Sequence, residues 1–308
     1  MKLLKNTLNG FFHRHWTFLI AFSYFFKGLA RELNIAPAAF SNWYQNIAIN
    51  VFKKRWQKTN EKGETYFDIN GAIFPDFSSN MHILASLSIH VFEDTFLVPC
   101  FYNDNYDASV IDKLDKYLAE GPYGYKKDSF NATVSKNDVV IDAGAWIGDF
   151  SAYASSKGAI SYAFEPTEAV FPLLQKTVKL NKNIYPVQKG LGKTVGEVLL
   201  FHGGDDSLDN SICMAGGSTY SEKISITTID QFVEENKLER IDFIKADIEG
   251  AERDLLKGST QVLKKFAPKL AICTYHLPDD PQVLEKIIME ANPNYKIIHL
   301  KHKLFACV

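Results

Sequence analysis

The stretch Asp138-Val139-Val140-Ile141-Asp142-Ala143-Gly144-Ala145-Trp146-Ile147-Gly148-Asp149-Phe150 decides the fold. It reads as a buried parallel strand that ends on an acid and breaks into a tight glycine turn opening a helix. Gly144 and Gly148 carry no Cβ, so backbone N–H groups beside them, with Ala145 between, can approach a ligand closely. A second apolar strand, Ile160 to Phe164, ends in Glu165-Pro166. It sets another carboxylate one strand over, where ribose hydroxyls would lie if a nucleoside crossed the first turn. Two carboxylates flanking a glycine turn suit a cationic head and a ribose. They would repel a pyrophosphate.

Strands and helices alternate outward from that turn, which predicts a parallel sheet covered on both faces. A helix is expected at 149–156, a strand at 160–165, a helix at 168–180 capped by Thr167, and a strand near 184–188. Val198 to Phe201 and Ile224 to Ile226 read as added strands around a polar loop, Gly203 to Ser221. Thr228-Ile229-Asp230-Gln231 has the form of a capping box for a helix reaching about Asn236. Ile241 to Ala246 is a strand ending at Asp247, followed by a helix over 251–265. Strand Leu270 to Tyr275 ends at His276, and a helix covers 281–291. The last two apolar runs, Tyr295 to Leu300 and Leu304 to Val308, are too close for a parallel crossover and predict an antiparallel hairpin.

Composition is that of an ordinary globular chain, 46% hydrophobic and 23% charged over 308 residues, enough for one large domain with an extension or two modest ones. The net charge of −2 hides an asymmetry: residues 1–60 hold nine Lys/Arg against one acid, net +8, and the other 248 residues carry −10. The acidic part holds the nucleoside-type turns, which argues against nucleic acid as a partner. Cys100, Cys213, Cys273 and Cys307 have no paired spacing, which fits a reducing, cytoplasmic location, and Cys273 and Cys307 read as buried.

Residues 1–60 read as largely helical, with Pro37 dividing two helices. The uncharged stretch Trp16 to Phe26 is too short to span a bilayer of ~20 residues. Lys2, Lys5 and Gly28-Leu29-Ala30 faintly suggest a signal peptide, against which stand Arg14 and the bulky aromatics. The plainer account of this basic, aromatic region is a helical cap on the catalytic domain or on a second copy in a homo-oligomer. The sharper one is a peripheral membrane contact with anionic lipid. Farther on, Thr65 to Ile69 and His90 to Phe92 read as short strands, Asn70-Gly71 as a turn, and Asp107 to Leu118 as a helix. We expect 1–120 to form a mainly helical cap, or a substrate or oligomer region, ahead of a catalytic domain at 121–308.

A parallel sheet closed by one reversed last strand resembles the class I S-adenosylmethionine-dependent methyltransferase fold. Four blocks narrow the resemblance to the FkbM family: Val140 to Phe150, Tyr162-Ala-Phe-Glu-Pro, Thr228-Ile-Asp-Gln-Phe, and Asp242-Phe-Ile-Lys-Ala-Asp-Ile-Glu-Gly-Ala-Glu-Arg-Asp-Leu-Leu-Lys-Gly over 242–258. The resemblance covers about 121–308, and the last block is the most specific. Trp146 departs from it, since the family usually has Asn or a similar small polar residue there. Gln188 to Gly192 matches poorly, so no adenine contact is assigned. The resemblance does not extend to residues 1–120.

The implied fold is a Rossmann-like, doubly wound α/β sheet of seven strands, mostly parallel with an antiparallel last strand, plus a largely helical N-terminal extension. The implied cofactor is S-adenosyl-L-methionine, and the implied reaction is methylation of a hydroxyl on a saccharide, glycan or other small-molecule acceptor. Asp142 would meet the methionine ammonium, directly or through water, Gly144, Ala145 and Gly148 would form the turn beneath the cofactor, and Glu165 would take the ribose diol. Asp247 would stand at the pocket mouth by the methyl donor. His276, at a strand's carboxyl end, is the candidate general base because histidine titrates near neutral pH. A divalent metal, Mg²⁺, on Asp247 and Glu249 is compatible with acidifying a hydroxyl, although spacing alone does not show it. Glu252 reads as an acid complementing a helix dipole, and Lys245 as reaching along the sheet to a carboxylate.

Two other readings compete. A nicotinamide-dependent oxidoreductase would use Glu165 equally well, but Gly144 and Gly148 lack the G-x-G-x-x-G spacing. A non-catalytic cofactor-binding scaffold docking on an anionic surface is opposed by the retention of Asp247 and His276.

Overall fold

The structure is a computed structural model that describes residues 49–50, 52–80, 83–84, 86–87, 112, 122–202, 210–211 and 220–308. The readings of helices before residue 49, of a strand at His90 to Phe92 and of a helix at Asp107 to Leu118 lie outside the described residues, apart from Asp112. So do Cys100, Cys213 and most of the polar loop at 203–221. By its internal contacts the chain forms two compact units, residues 1–57 with 77–122 and residues 58–76 with 123–308. In the first unit, 52–56 are helical.

The second unit begins with strand, not the helix expected through residue 60. β1 (Gln57–Thr59), β2 (Thr65–Ile69) and β3 (Ala72–Pro75) form a three-stranded sheet. Asn70 and Gly71, both at positive φ, make the tight turn between β2 and β3. The Asn181 side chain fixes this sheet to the rest of the unit, accepting from Ile73 N at 3.0 Å and donating to Ile73 O at 2.7 Å. A small hairpin, β4 (Tyr125–Lys127) and β5 (Phe130–Ala132), follows.

The seven-stranded sheet carries the core. Its members are β6 (Val139–Ala143), β7 (Ile160–Phe164), β8 (Ile184–Val187), β13 (Phe243–Ala246), β14 (Lys269–Cys273), β15 (Lys296–His299) and β16 (Lys303–Cys307), in the order β15-β16-β14-β13-β6-β7-β8. β16 alone runs antiparallel to its neighbours. The expected fold is therefore present. Pro186 lies in β8, an edge strand, where a missing N–H costs no ladder bond. A separate four-stranded sheet joins β9 (Gly190–Leu191), β10 (Gly196–His202), β11 (Asn210–Ser211) and β12 (Tyr220–Thr227).

Six helices follow these strands: α1 (Asp149–Ser156), α2 (Phe171–Val178), α3 (Ile229–Glu235), α4 (Glu252–Lys257), α5 (Thr260–Lys265) and α6 (Asp280–Ala291). α1 ends at Gly158 in the left-handed region, with Ala159 N donating back to Ala154 O at 3.1 Å. Two helix expectations need correction. α2 starts three residues late without a side-chain cap, because the Thr167 hydroxyl donates to Glu165 instead. The single helix expected over 251–265 is two, since a Cβ on Gly258 would lie 2.1 Å from Gly192 O, and Asp230 accepts from Gln261 N and Val262 N at the head of α5. Among the described residues, no helix is long and apolar enough to cross a membrane.

Candidate active site

In chain order β6, β7 and β8 run to one side of the sheet, whereas β13 and β14 run to the other. The carboxyl ends of β6 and β13 therefore flank the point where the winding reverses, where open α/β sheets bind ligands. Four turns meet the sheet at this end, carrying Gly144, Glu165, Asp247 with Glu249, and His276.

The first turn is held by its own chain. Ala145 N donates to Phe164 O at 2.8 Å, Trp146 N to Glu165 Oε2 at 3.1 Å, and Gly148 N to Ala145 O at 2.6 Å. Those three N–H groups are used internally, and the two glycines let the turn pack closely against its neighbours. A Cβ on Gly144 would lie 1.9 Å from Asp247 O, and one on Gly148 would lie 2.8 Å from Leu174 Cδ1. Trp146 itself sits at φ 49°, a conformation that Asn adopts more readily than a large side chain.

Asp142 lies beneath the turn and is fully buried. Its register partner on β13 is Lys245, whose ammonium stands 3.3 Å from Asp142 Oδ1, while Ser151 Oγ donates to Oδ2 at 2.6 Å. Lys245 also donates to Gly144 O at 2.6 Å, which couples the buried pair to the turn above. Burial works against the charge on Lys245, but Asp142, then Asp247 and Asp149, outweigh it and hold the ammonium above its ordinary pKa.

Glu165 is nearly buried at the tip of β7. Oε1 accepts from Thr167 N and Oγ1, whereas Oε2 accepts from Trp146 N. Burial pushes its carboxyl pKa up despite these bonds.

The turn after β13 carries the densest chemistry. Glu249 and Gly250 both adopt positive φ, and Glu252 folds back from α4 to tie the turn. Its carboxylate accepts from Ile248 N at 2.8 Å and Gly250 N at 3.0 Å. Glu252 is thus a fully buried clamp, and the helix-dipole account of it is too weak. Against these acids lies His276, its side chain only 3% exposed: Nδ1 is 3.1 Å from Glu252 Oε1, and Nε2 is 3.3 Å from Glu249 Oε2 and 3.5 Å from Asp247 Oδ1. None of these contacts is aligned as a hydrogen bond. Arg253 and Asp280 hold the segment that follows, with Arg253 Nε donating to Asp280 Oδ1 at 2.6 Å and Leu277 N to Oδ2 at 2.9 Å.

These acids bear on the expected role of His276. Burial alone would lower its pKa, but Glu249, Glu252 and Asp247 together push it up to about 10. With no cation among the acids, a ring that holds its proton this firmly is a weak general base at neutral pH.

Two tyrosines complete the site, and no spacing signal pointed to either. Tyr123 Oη donates to Asp247 Oδ2 at 2.5 Å, and Tyr275 Oη donates to Oδ1 at 3.2 Å. The Tyr123 ring lies 4.0 Å from the Lys303 ammonium and 5.2 Å from that of Lys245. Tyr123 belongs to Gly121-Pro122-Tyr123-Gly124, whose glycines and proline mark a linker or substrate-facing loop in the sequence.

Comparisons with known proteins agree with this architecture. The chain is 28% identical to the hexuronic acid methyltransferase AglP of Haloferax volcanii over 171 residues, covering 54% of this chain and 67% of that one. It is 28% identical to the methyltransferase sdnD of Sordaria araneosa over 161 residues, 41% of this chain and 62% of that one. A crystal structure of methyltransferase FkbM from Methylobacillus flagellatus aligns with a TM-score of 0.46 at 20% identity, over 86% of this chain and 60% of that chain. The chain thus spans about two thirds or less of the length of each. The methyltransferase FkbM domain profile matches residues 142–297, half of the chain, from the buried aspartate of β6 to the closing hairpin. The chain belongs to the FkbM methyltransferase family.

Proposed function

We propose that this chain transfers the methyl group of S-adenosylmethionine to a hydroxyl of a saccharide, glycan or related small molecule. The observation that carries this reading is the placement of Glu165 and Asp247 at the tips of β7 and β13, on either side of the Gly144 turn at the winding reversal. The donor set suits such a cofactor. Glu165 Oε2 has Trp146 N as its donor among the described residues, and a carboxylate oxygen accepts about two, which leaves capacity for a ribose hydroxyl.

When bound, the cofactor supplies a methyl on a sulfonium, open to in-line displacement. The protein's part is to bring acceptor and donor into line, which contributes on the order of 7–11 kcal/mol in well-oriented reactions. In this reading Asp142 acts from below, holding Lys245 against Gly144 O and so fixing the turn. Asp247 stands where a sulfonium would favour negative charge, and its carboxylate takes the proton that the acceptor hydroxyl loses. Tyr123 and Tyr275 keep that carboxylate in place. His276 contributes as a charged neighbour. The kinship with a hexuronic acid methyltransferase favours a sugar as acceptor.

Calorimetric titration with S-adenosylmethionine should give micromolar binding that weakens at least tenfold in Glu165→Ala. Labelled methyl transfer to a panel of uronic acid and neutral glycosides should then identify the acceptor class. Unchanged affinity in Glu165→Ala, or binding of NAD in place of S-adenosylmethionine, would overturn the reading.

A further inference from the structure

We propose that Asp247, Glu249 and His276 form a binding site for one divalent first-row transition-metal ion, with Mn²⁺ as the best match. These three side chains offer ligand atoms that all lie within 4.8 Å of one another. Acidic clusters are common without an ion, and the independent observation here is the histidine. Its side chain is 97% buried, it points into the carboxylates, and neither ring nitrogen has a hydrogen-bond partner. A buried imidazole with unused nitrogens is costly unless something else satisfies them.

The spacing suits a shared ion. His276 Nε2 lies 3.3 Å from Glu249 Oε2 and 3.5 Å from Asp247 Oδ1. Metal–ligand bonds of roughly 2.0–2.2 Å place neighbouring ligand atoms about 3.0–3.5 Å apart. Behind the ring, Glu252 Oε1 is 3.1 Å from Nδ1. A carboxylate there faces the ring nitrogen turned away from the ion, the side on which a ligating imidazole is usually backed. Glu252 is itself held by Ile248 N and Gly250 N, so the ring is backed by an anchored group.

The donor set also selects the ion. Two carboxylates alone would suit Mg²⁺, the ion the sequence suggested, but an imidazole nitrogen moves the preference toward first-row transition ions. Carboxylate oxygens in the majority favour Mn²⁺ among them. The existence of the site stands apart from the methyl-transfer reading, but its purpose rests on that reading: a cation here would ligate and acidify an acceptor hydroxyl beside Asp247.

The test is Mn²⁺ titration of the chelator-treated full chain, followed by electron paramagnetic resonance without cofactor or acceptor. We expect one Mn²⁺ per chain and a ¹⁴N coupling from the imidazole in the pulsed spectrum. Affinity should fall at least tenfold in Glu249→Gln and in His276→Gln. Absence of binding, binding without ¹⁴N coupling, or full affinity in Glu249→Gln would overturn the site. The wild-type ¹⁴N coupling decides the matter even where a variant fails to fold. Titration with S-adenosylmethionine alone separates the two readings: cofactor binding without Mn²⁺ binding removes only the metal site, and the converse removes only the methyl-donor assignment.

Discussion

Lys245 stands directly opposite Asp142 in the parallel β6–β13 pair, and their side chains form an ion pair sealed inside the sheet. The register fixes the partnership, because residues paired across parallel strands project to the same face. A buried pair of this kind is not a large source of stability in itself, but removing one member leaves an uncompensated charge. Lys245→Met should therefore destabilise the fold by roughly 3–5 kcal/mol. Adding Asp142→Leu should restore much of that loss. Urea unfolding of the two single variants and the double variant measures the coupling, and additive losses would show that the pair does not act as a unit.

Gly144 and Gly148 look alike in sequence but differ in what surrounds them. A Cβ at Gly144 meets the backbone oxygen of Asp247 at 1.9 Å, and backbone has no room to yield. A Cβ at Gly148 comes closest to the end of the Leu174 side chain, which can rotate away, with Thr177 Cγ2 at an ordinary 3.4 Å. Gly144→Ala should cost more than about 3 kcal/mol, whereas Gly148→Ala should cost about 1–2 kcal/mol, mostly from its left-handed backbone. Thermal unfolding of both variants would show the difference, and equal losses would mean the turn relaxes around Gly144.

What could be read from sequence follows the range of the forces involved. β6 and β13 were legible because burial on both faces makes a continuous apolar run, and the β15–β16 hairpin because its connection is too short for anything else. The tips of those strands, and with them Asp247 and Glu249, followed directly. Long-range contacts were not legible. The break between α4 and α5 depends on Gly258 meeting the Gly192 carbonyl, 66 positions away, and no local propensity encodes it. The raised pKa of His276 has the same origin: it is set by Glu249 and Glu252, which follow a different strand. Tyr123 reaches Asp247 from 124 residues earlier, so nothing near it in sequence marks it.

Thr228 supplies a case where local sequence was sufficient. Its side chain accepts from Gln231 N at 3.0 Å, capping α3 as the spacing predicted. Thr228→Ala should cost about 1 kcal/mol, and Thr228→Asp should retain most of the stability. Gly258→Ala, at the unpredicted break, should cost more than Thr228→Ala, because its Cβ would meet backbone. Denaturant midpoints for the three variants test the ranking, and a milder Gly258→Ala would mean that Gly192 is free to shift.

His276 gives a pH dependence whose sign follows from its surroundings. Glu249 and Glu252, with Asp247, face the ring and raise its pKa from 6.5 to about 10 in the folded chain. Asp247 is in turn held by Tyr123 and Tyr275. Because the folded value lies above the unfolded one, the stabilisation is fully present below about pH 6.5 and fades as pH rises toward about 10. In chelator-treated protein the Tm gap between wild type and His276→Gln should therefore be widest near pH 6 and narrow steadily to pH 9.5. A gap that stays flat or grows with pH would mean that His276 is neutral in the folded protein.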